Sequence, residues 1–289
     1  MDETKLSEDR KKVLAKMRDY EKRGLLNEPV ENDPPALELK PEKVDYLNKK
    51  WKSKIATFTA NFLGNRYFLN LIKKGRLAIE KVEGVEHLKA LENGCVVTSN
   101  HFSFLDNYIV FHALRSYLPR RYLYKVVREG NYTNFPGLHG FLFRHCNTLP
   151  LSSNRRTMMN FTSAVQTLLK RGESVLIYPE QEMWWNYKKP RPFKIGGFKI
   201  AARAGVPVLP VFISMRDGEG LDENGAPIQI HTVHILPPVY PDKELNEKLA
   251  AQKMLEETFV GYKEKYEEVY GKPLVYDTKE KCSILSSST

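Results

Sequence analysis

From about residue 77 onward the chain switches between short apolar, β-branched runs and longer stretches with helical apolar spacing. No other feature constrains the fold as much. Candidate strands are 77–82, 94–99, 122–127, 147–151, 174–178, 206–213 and 228–236, and candidate helices are 104–117, 135–145, 155–171, 196–204 and 243–270. Strands that alternate with helices predict an α/β fold, a mostly parallel central sheet flanked by helices. Helix 155–171 ends in Lys170-Arg171-Gly172, cations for the helix dipole and then a glycine able to turn left-handed. With 289 residues, 42% of them hydrophobic, the chain has enough apolar material for such a core, which excludes wholesale disorder.

Before this region the texture differs. Residues 1–75 read as a basic N-terminal helical and linker region, 76–275 as the main domain, and 276–289 as a disordered tail. Val13, Leu14, Met17, Tyr20 and Leu25 mark a surface helix over 9–25, and the four prolines of 27–41 mark an extended arm. Next, Leu47, Trp51, Ile55, Phe58 and Phe62 form one stripe, interrupted by Lys49, Lys50, Lys52 and Lys54. Two readings stand for it: an amphipathic membrane-docking helix with aromatic anchors and a basic flank, or a helix packed across the sheet, which needs the same stripe. The N-terminus has no apolar signal region, and no window of 18 consecutive apolar residues suggests a membrane span. The net charge of +10 implies anionic company, such as phospholipid headgroups, a phosphorylated substrate or nucleic acid. Nucleic acid ranks last, because no DNA- or RNA-binding module pattern is present. The three cysteines, Cys95, Cys146 and Cys282, show no metal or redox spacing and suit a reducing compartment.

The chemistry concentrates in Cys95 to Asn107. A buried apolar strand stops at Ser99-Asn100, His101 follows, and Asp106 comes five positions later, as a helix begins. In α/β proteins this order places reactive side chains on the carboxyl rim of the sheet. His101 would sit on that rim with Asp106 able to fold back to its ring. The plainer reading is that Ser103-x-x-Asp106 is a capping box and His101 a polar strand end. A second stretch, Tyr178-Pro179-Glu180, ends the strand Ser174–Tyr178, so Glu180 shares the rim with His101. Lys188, Lys189, Arg191 and Lys194 follow, and Gly196-Gly197-Phe198 opens a helix; together they make a candidate phosphate site, against the plainer reading of a solvated basic loop. Trp184 and Trp185 inside that loop suggest that it is covered or faces lipid. His231 and His234 lie three apart on a predicted strand and point to opposite faces, so no metal is called for. There is no Gly-x-Ser-x-Gly elbow, which argues against an acyl-serine hydrolase.

Taken together and in this order, the pieces resemble the glycerolipid acyltransferase family, whose bacterial type member acylates lysophosphatidic acid. Its His-x4-Asp motif matches His101 and Asp106, its Phe-Pro-Glu start is similar to Tyr178-Pro179-Glu180, and its Pro-Phe-Lys-x-Gly-x-Phe segment matches Pro192 to Phe198. Its Val-Pro-x-x-Pro motif matches Val206 to Pro210. The resemblance covers roughly 80–215. It implies an O-acyltransferase that moves a fatty acyl group from acyl-CoA or acyl-ACP to a lysophospholipid hydroxyl, with 1-acyl-sn-glycerol-3-phosphate as acceptor. His101 would be the general base and Asp106 its orienting carboxylate; the donor is a substrate, and no cofactor or metal is expected. The implied partners are the lysophospholipid, the acyl donor, an anionic membrane surface and an acyl carrier protein. The implied location is the cytoplasmic face of the cell membrane, peripheral or monotopic. Two departures matter. Gln181-Glu182-Met183 stand where the family has Gly-Thr-Arg, and Ser152-Ser153 stand where its second motif ends in arginine. The substrate-binding set is therefore drawn from Arg144, Arg155, Arg156, Glu180, Lys188, Lys189, Arg191, Lys194 and Gly196. A non-catalytic lipid-binding relative, or an enzyme for a different headgroup, is the alternative.

Overall fold

The structure is a computed structural model that describes residues 2–91, 94–118 and 122–278. The tail reading, with Cys282, lies outside these residues from 279 onward. Seven strands, β1 (Ala78–Glu83), β2 (Val96–Ser99), β3 (Leu123–Val127), β4 (Thr148–Pro150), β5 (Ser174–Ile177), β6 (Val208–Leu221) and β7 (Pro227–Ile235), form one sheet in the order β1-β7-β6-β2-β5-β3-β4. Every neighbouring pair is parallel except the β6–β7 hairpin. The helices are α1 (Glu8–Lys22), α2 (Trp51–Lys73), α3 (Asp106–Leu114), α4 (Glu129–Thr133), α5 (Gly137–His145), α6 (Arg155–Lys170), α7 (Gly196–Ala204) and α8 (Glu247–Tyr270). The architecture is therefore the α/β class read from the alternation, with boundaries displaced by a few residues.

β2 is central, between β6 and β5, and all four of its residues are buried. Its neighbouring valines serve opposite faces, as strand geometry requires. Val97 joins Leu176, Leu209, Ile109 and Leu114 on the side covered by α3 and the end of α2. Val96 joins Val175, Val208, Phe161, Val165 and Phe198 on the side of α6 and α7. Each such side chain taken fully out of water contributes about 1.5–3 kcal/mol, so the rim at the end of β2 rests on a strand anchored in the core on both faces.

Local signals fix the covering helices. Asn154 caps α6 by accepting from the backbone N–H groups of Arg156 and Thr157, and Gly172 turns with φ +80° just beyond its end. Helix α8 starts four residues later than its apolar pattern suggests, because the Asn246 side chain caps Leu249 N. The largest difference from expectation is β6, which runs to Leu221 rather than stopping near 213. Its distal half leaves the core and pairs with β7 as an exposed hairpin, where no apolar pattern could announce it.

The N-terminal segment is fastened to the rim. Val13 and Met17 of α1, with Leu26 and Val30 of the arm, bury Trp184 and Trp185 in a small separate cluster. The tryptophan-bearing loop is therefore covered by this chain's own arm. Helix α2 packs through Ala60, Gly64, Phe68, Leu71 and Ile72, and its Phe68 ring stacks on Tyr108 of α3 at 4.4 Å. Most of the stripe read from the sequence points the other way: Trp51, Ile55, Phe58 and Phe62 are 57–69% exposed, whereas Leu47, which precedes α2, packs against the core.

Candidate active site

Asn100 ends β2 by exchanging both amide hydrogen bonds with Ile213 of β6, donating to its carbonyl at 2.9 Å and accepting from its N–H at 2.8 Å. The side chain imitates a strand partner, so the backbone is free to turn away, and His101 is delivered at the rim. His101 Nδ1 lies 2.7 Å from Asp106 Oδ2. The same oxygen accepts from Phe102 N at 3.2 Å and Ser103 N at 3.3 Å. Ser103 Oγ accepts from Leu105 N at 3.2 Å. Only half of the expected capping box forms, because Asp106 accepts from Ser103 N while Ser103 Oγ takes Leu105 N instead of Asp106 N; the same carboxylate ties the turn before α3 and meets the imidazole.

Asp106 is fully buried, while the His101 side chain keeps 18% of its surface exposed. An ionised carboxylate can only accept, so the neutral tautomer that satisfies this contact is the one with Nδ1–H toward Asp106, which leaves the Nε2 lone pair free. Such an imidazole can take a proton from a hydroxyl, and the carboxylate stabilises the imidazolium that results. Tyr178 completes the group. Its hydroxyl donates to Asp106 Oδ1 at 2.8 Å and its ring stacks on the imidazole. Burial and the neighbouring carboxylate push this phenol well above its ordinary pKa.

Beneath the histidine lies a buried ion pair. Glu180 accepts from His101 N at 3.1 Å and Arg191 N at 2.9 Å, and its Oε2 lies 2.8 Å from Arg191 Nη2. Arg191 also donates to the carbonyls of Leu26, His101 and Glu182, with its guanidinium over the Trp184 ring. Trp184 N and Asn186 N donate to the carbonyls of His101 and Phe102. The arm closes this layer: Asn27 Nδ2 bridges the carbonyls of Glu180 and Pro192, and Glu28 O accepts from Trp184 Nε1.

The structure divides the residues named for substrate binding. Glu180 and Arg191 are buried against each other, so they brace the turn instead of facing the rim. Arg144 donates to the carbonyls of Phe135 and Tyr132, tying α4 to α5. Lys189 is held between Glu21 at 2.5 Å and Asp277 at 3.6 Å, and Lys188 sits 3.8 Å from Asp217. Arg155 and Arg156 at the start of α6 and Lys194 before α7 have exposed side chains. Gly196 is also exposed, and a Cβ there would meet open space. Sequence reasoning missed the Tyr178 hydroxyl, whose only signal was a tyrosine in a phenylalanine position. It also missed Leu26, Asn27 and Glu28, whose role is carried by backbone and amide groups with no charge pattern.

Fold and site together define an α/β protein with a carboxylate-oriented imidazole on the carboxyl rim of a mostly parallel sheet. The family model described as Acyltransferase matches residues 80–214, which include His101, Asp106, Tyr178, Glu180 and Arg191 but not the N-terminal arm. That match is in line with the glycerolipid acyltransferase resemblance of the chain's motifs. Among curated proteins, the 1-acyl-sn-glycerol-3-phosphate acyltransferase BAT2, chloroplastic, of Brassica napus is 32% identical over 133 residues, 45% of this chain and 36% of that protein. The 1-acyl-sn-glycerol-3-phosphate acyltransferase LPAT1, chloroplastic, of Arabidopsis thaliana is 30% identical over 133 residues, 45% of this chain and 34% of that one. The matched segment thus spans about a third of these relatives' length. Among solved structures, the 1-acyl-sn-glycerophosphate acyltransferase PlsC from Thermotoga maritima aligns with a TM-score of 0.44 and 21% identity, over 74% of this chain and 83% of that chain.

Proposed function

We propose that the protein transfers a fatty acyl group from acyl-CoA or acyl-ACP to the hydroxyl of a lysophospholipid, with 1-acyl-sn-glycerol-3-phosphate as acceptor. The observation that carries this reading is the 2.7 Å contact between His101 and buried Asp106 inside the segment that matches the Acyltransferase family. The acceptor hydroxyl gives its proton to His101 Nε2 as its oxygen bonds to the thioester carbonyl carbon. The carbon–sulfur bond then breaks and the imidazolium proton neutralises the departing thiolate, leaving an ester and a free thiol. A positioned base accounts for on the order of 10²–10⁴-fold of such a rate. Arg155, Arg156, Lys194 and the N–H groups at the start of α7 are the groups we assign to the acceptor phosphate.

The outward face of α2 supports peripheral attachment to a membrane. Its exposed aromatic and aliphatic side chains lie among exposed Lys49, Lys50, Lys52, Lys54 and Arg66, a composition that suits the headgroup boundary of an anionic bilayer. Among the described residues no helix is long and apolar enough to cross a membrane. The helix also adjoins the site, because Tyr108, two residues past Asp106, donates to Asn65 of α2 at 3.0 Å. Docking α2 would hold the rim near the lipid acceptor. The test is to incubate purified protein with a panel of lysophospholipids and both donor types and to identify products by mass. Phosphatidic acid from lysophosphatidic acid is expected. Binding to anionic vesicles without any acylated product would leave a non-catalytic lipid-binding protein.

A further inference from the structure

Asp106 has a donor that the His-x4-Asp spacing does not supply. Its Oδ2 is filled by His101 Nδ1, Phe102 N and Ser103 N, and its Oδ1 accepts from the Tyr178 hydroxyl at 2.8 Å. The ring of the same tyrosine lies flat on the imidazole, with centroids 4.0 Å apart and planes 17° from parallel. One side chain therefore touches both halves of the pair, reaching the rim from the end of β5 while histidine and aspartate come from β2 and α3.

We infer that Tyr178 is a positioning residue for the proposed transfer, locking the Asp106 carboxylate through its hydroxyl and the His101 ring through its face. This inference rests on the reading of His101 as base. With donors on both oxygens, the carboxylate cannot rotate about its Cβ–Cγ bond without leaving a buried charged oxygen unfilled, which is strongly unfavourable. A fixed carboxylate fixes the direction of Nδ1–H and hence of Nε2. The stacked ring blocks the tilt that remains, and its negative face favours the imidazolium over the neutral imidazole. Because the phenol stays protonated, it remains a donor throughout the neutral range.

The hydroxyl also has an electrostatic effect. A donor on Oδ1 draws negative charge away from the oxygen that faces the imidazole, so it lowers the proton affinity of His101. Other charged or titratable groups face the pair. The Glu180–Arg191 ion pair contacts the His101 backbone from the loop after β5. His231 of β7 feels Asp106 across the Phe102 ring, and Tyr262 of α8 stands behind Tyr178. A Tyr178→Phe substitution leaves all four in place.

The experiment compares wild type, Tyr178→Phe, Tyr178→Leu and a protein with 3-fluorotyrosine at 178, a stronger donor of nearly the same shape. The readouts are kcat, KM, the pH profile of kcat/KM and the titration of the His101 ring proton resonance. For Tyr178→Phe, kcat should fall on the order of tenfold with KM within about twofold. The acidic limb and the His101 titration should both rise by about half to one pH unit. Tyr178→Leu, which loses the stack as well, should fall on the order of a hundredfold. Fluorotyrosine should move the limb to lower pH, and it stands in should the phenylalanine variant fail to fold. An unmoved His101 titration in Tyr178→Phe, or in the fluorotyrosine protein if that variant is unfolded, would overturn the inference. His101→Ala run alongside separates the two claims. If it turns over normally, the base assignment fails; if it is inactive while Tyr178→Phe behaves as wild type, only the positioning role does.

Discussion

Arg191→Leu separates two roles for the same guanidinium. If Arg191 gripped substrate phosphate, its loss would raise KM and leave the fold intact. In the structure it is fully buried and paired at 2.8 Å with Glu180, itself 2% exposed, and it also serves three carbonyl groups. Removing one partner of a buried pair strands the other charge, which costs about 3–5 kcal/mol. For a domain of this size each kcal/mol lowers Tm by about 2–4 °C, so a fall on the order of 10 °C is expected in a thermal melt followed by circular dichroism. The double variant Glu180→Leu/Arg191→Leu leaves no unpaired charge and should recover part of that loss, even though His101 N loses its acceptor. Residual activity of either variant, measured well below its melting point, should show reduced kcat, because the ion pair braces the His101 backbone. A single variant that melts with wild type and differs only in KM would rule out the bracing role and return Arg191 to the substrate.

Two further outcomes follow from other parts of the molecule. Burial holds the imidazoles of His112, His145, His231 and His234 below the ordinary histidine pKa. The unfolded chain binds these protons from about pH 6.5 downward while the folded chain resists. Their contribution to stability is therefore complete above about pH 6.5 and lost as pH falls toward 5; a Tm that is flat or rises from pH 7 to 5.5 would contradict this. At the start of α2 and just before it, changing Lys49, Lys50, Lys52 and Lys54 together to glutamine removes about 1 kcal/mol of attraction per residue to an anionic surface. Vesicle co-sedimentation should weaken by on the order of 10²–10³-fold while melting stays unchanged, and unchanged sedimentation would show that α2 is not the docking face.

The parts of the fold that were legible in the sequence are those where one physical demand acts alone. Central parallel strands are buried on both faces, so Val96-Val97 and Val175-Leu176 read as continuous apolar runs. The His101–Asp106 spacing was legible because the turn between strand and helix is short. Helical periodicity gave the stripe of Trp51, Ile55, Phe58 and Phe62 but not which side it faces, since lipid and a sheet select the same residues. Arg191 was illegible for a different reason. Eleven residues separate it from Glu180, and a guanidinium among lysines looks solvated until the tryptophan loop folds over it. Backbone acceptors such as Leu26 O leave no residue-type signature at all.

Whether the imidazole of His101 removes the acceptor proton is read from acyl transfer by His101→Ala at saturating substrate. Turnover should fall by on the order of 10²–10⁴-fold in a protein that melts with wild type, since the ring is partly exposed and its removal strands no buried charge beyond Asp106, which keeps its donors from Phe102, Ser103 and Tyr178. Turnover close to wild type in that variant would contradict the assignment of His101 as base.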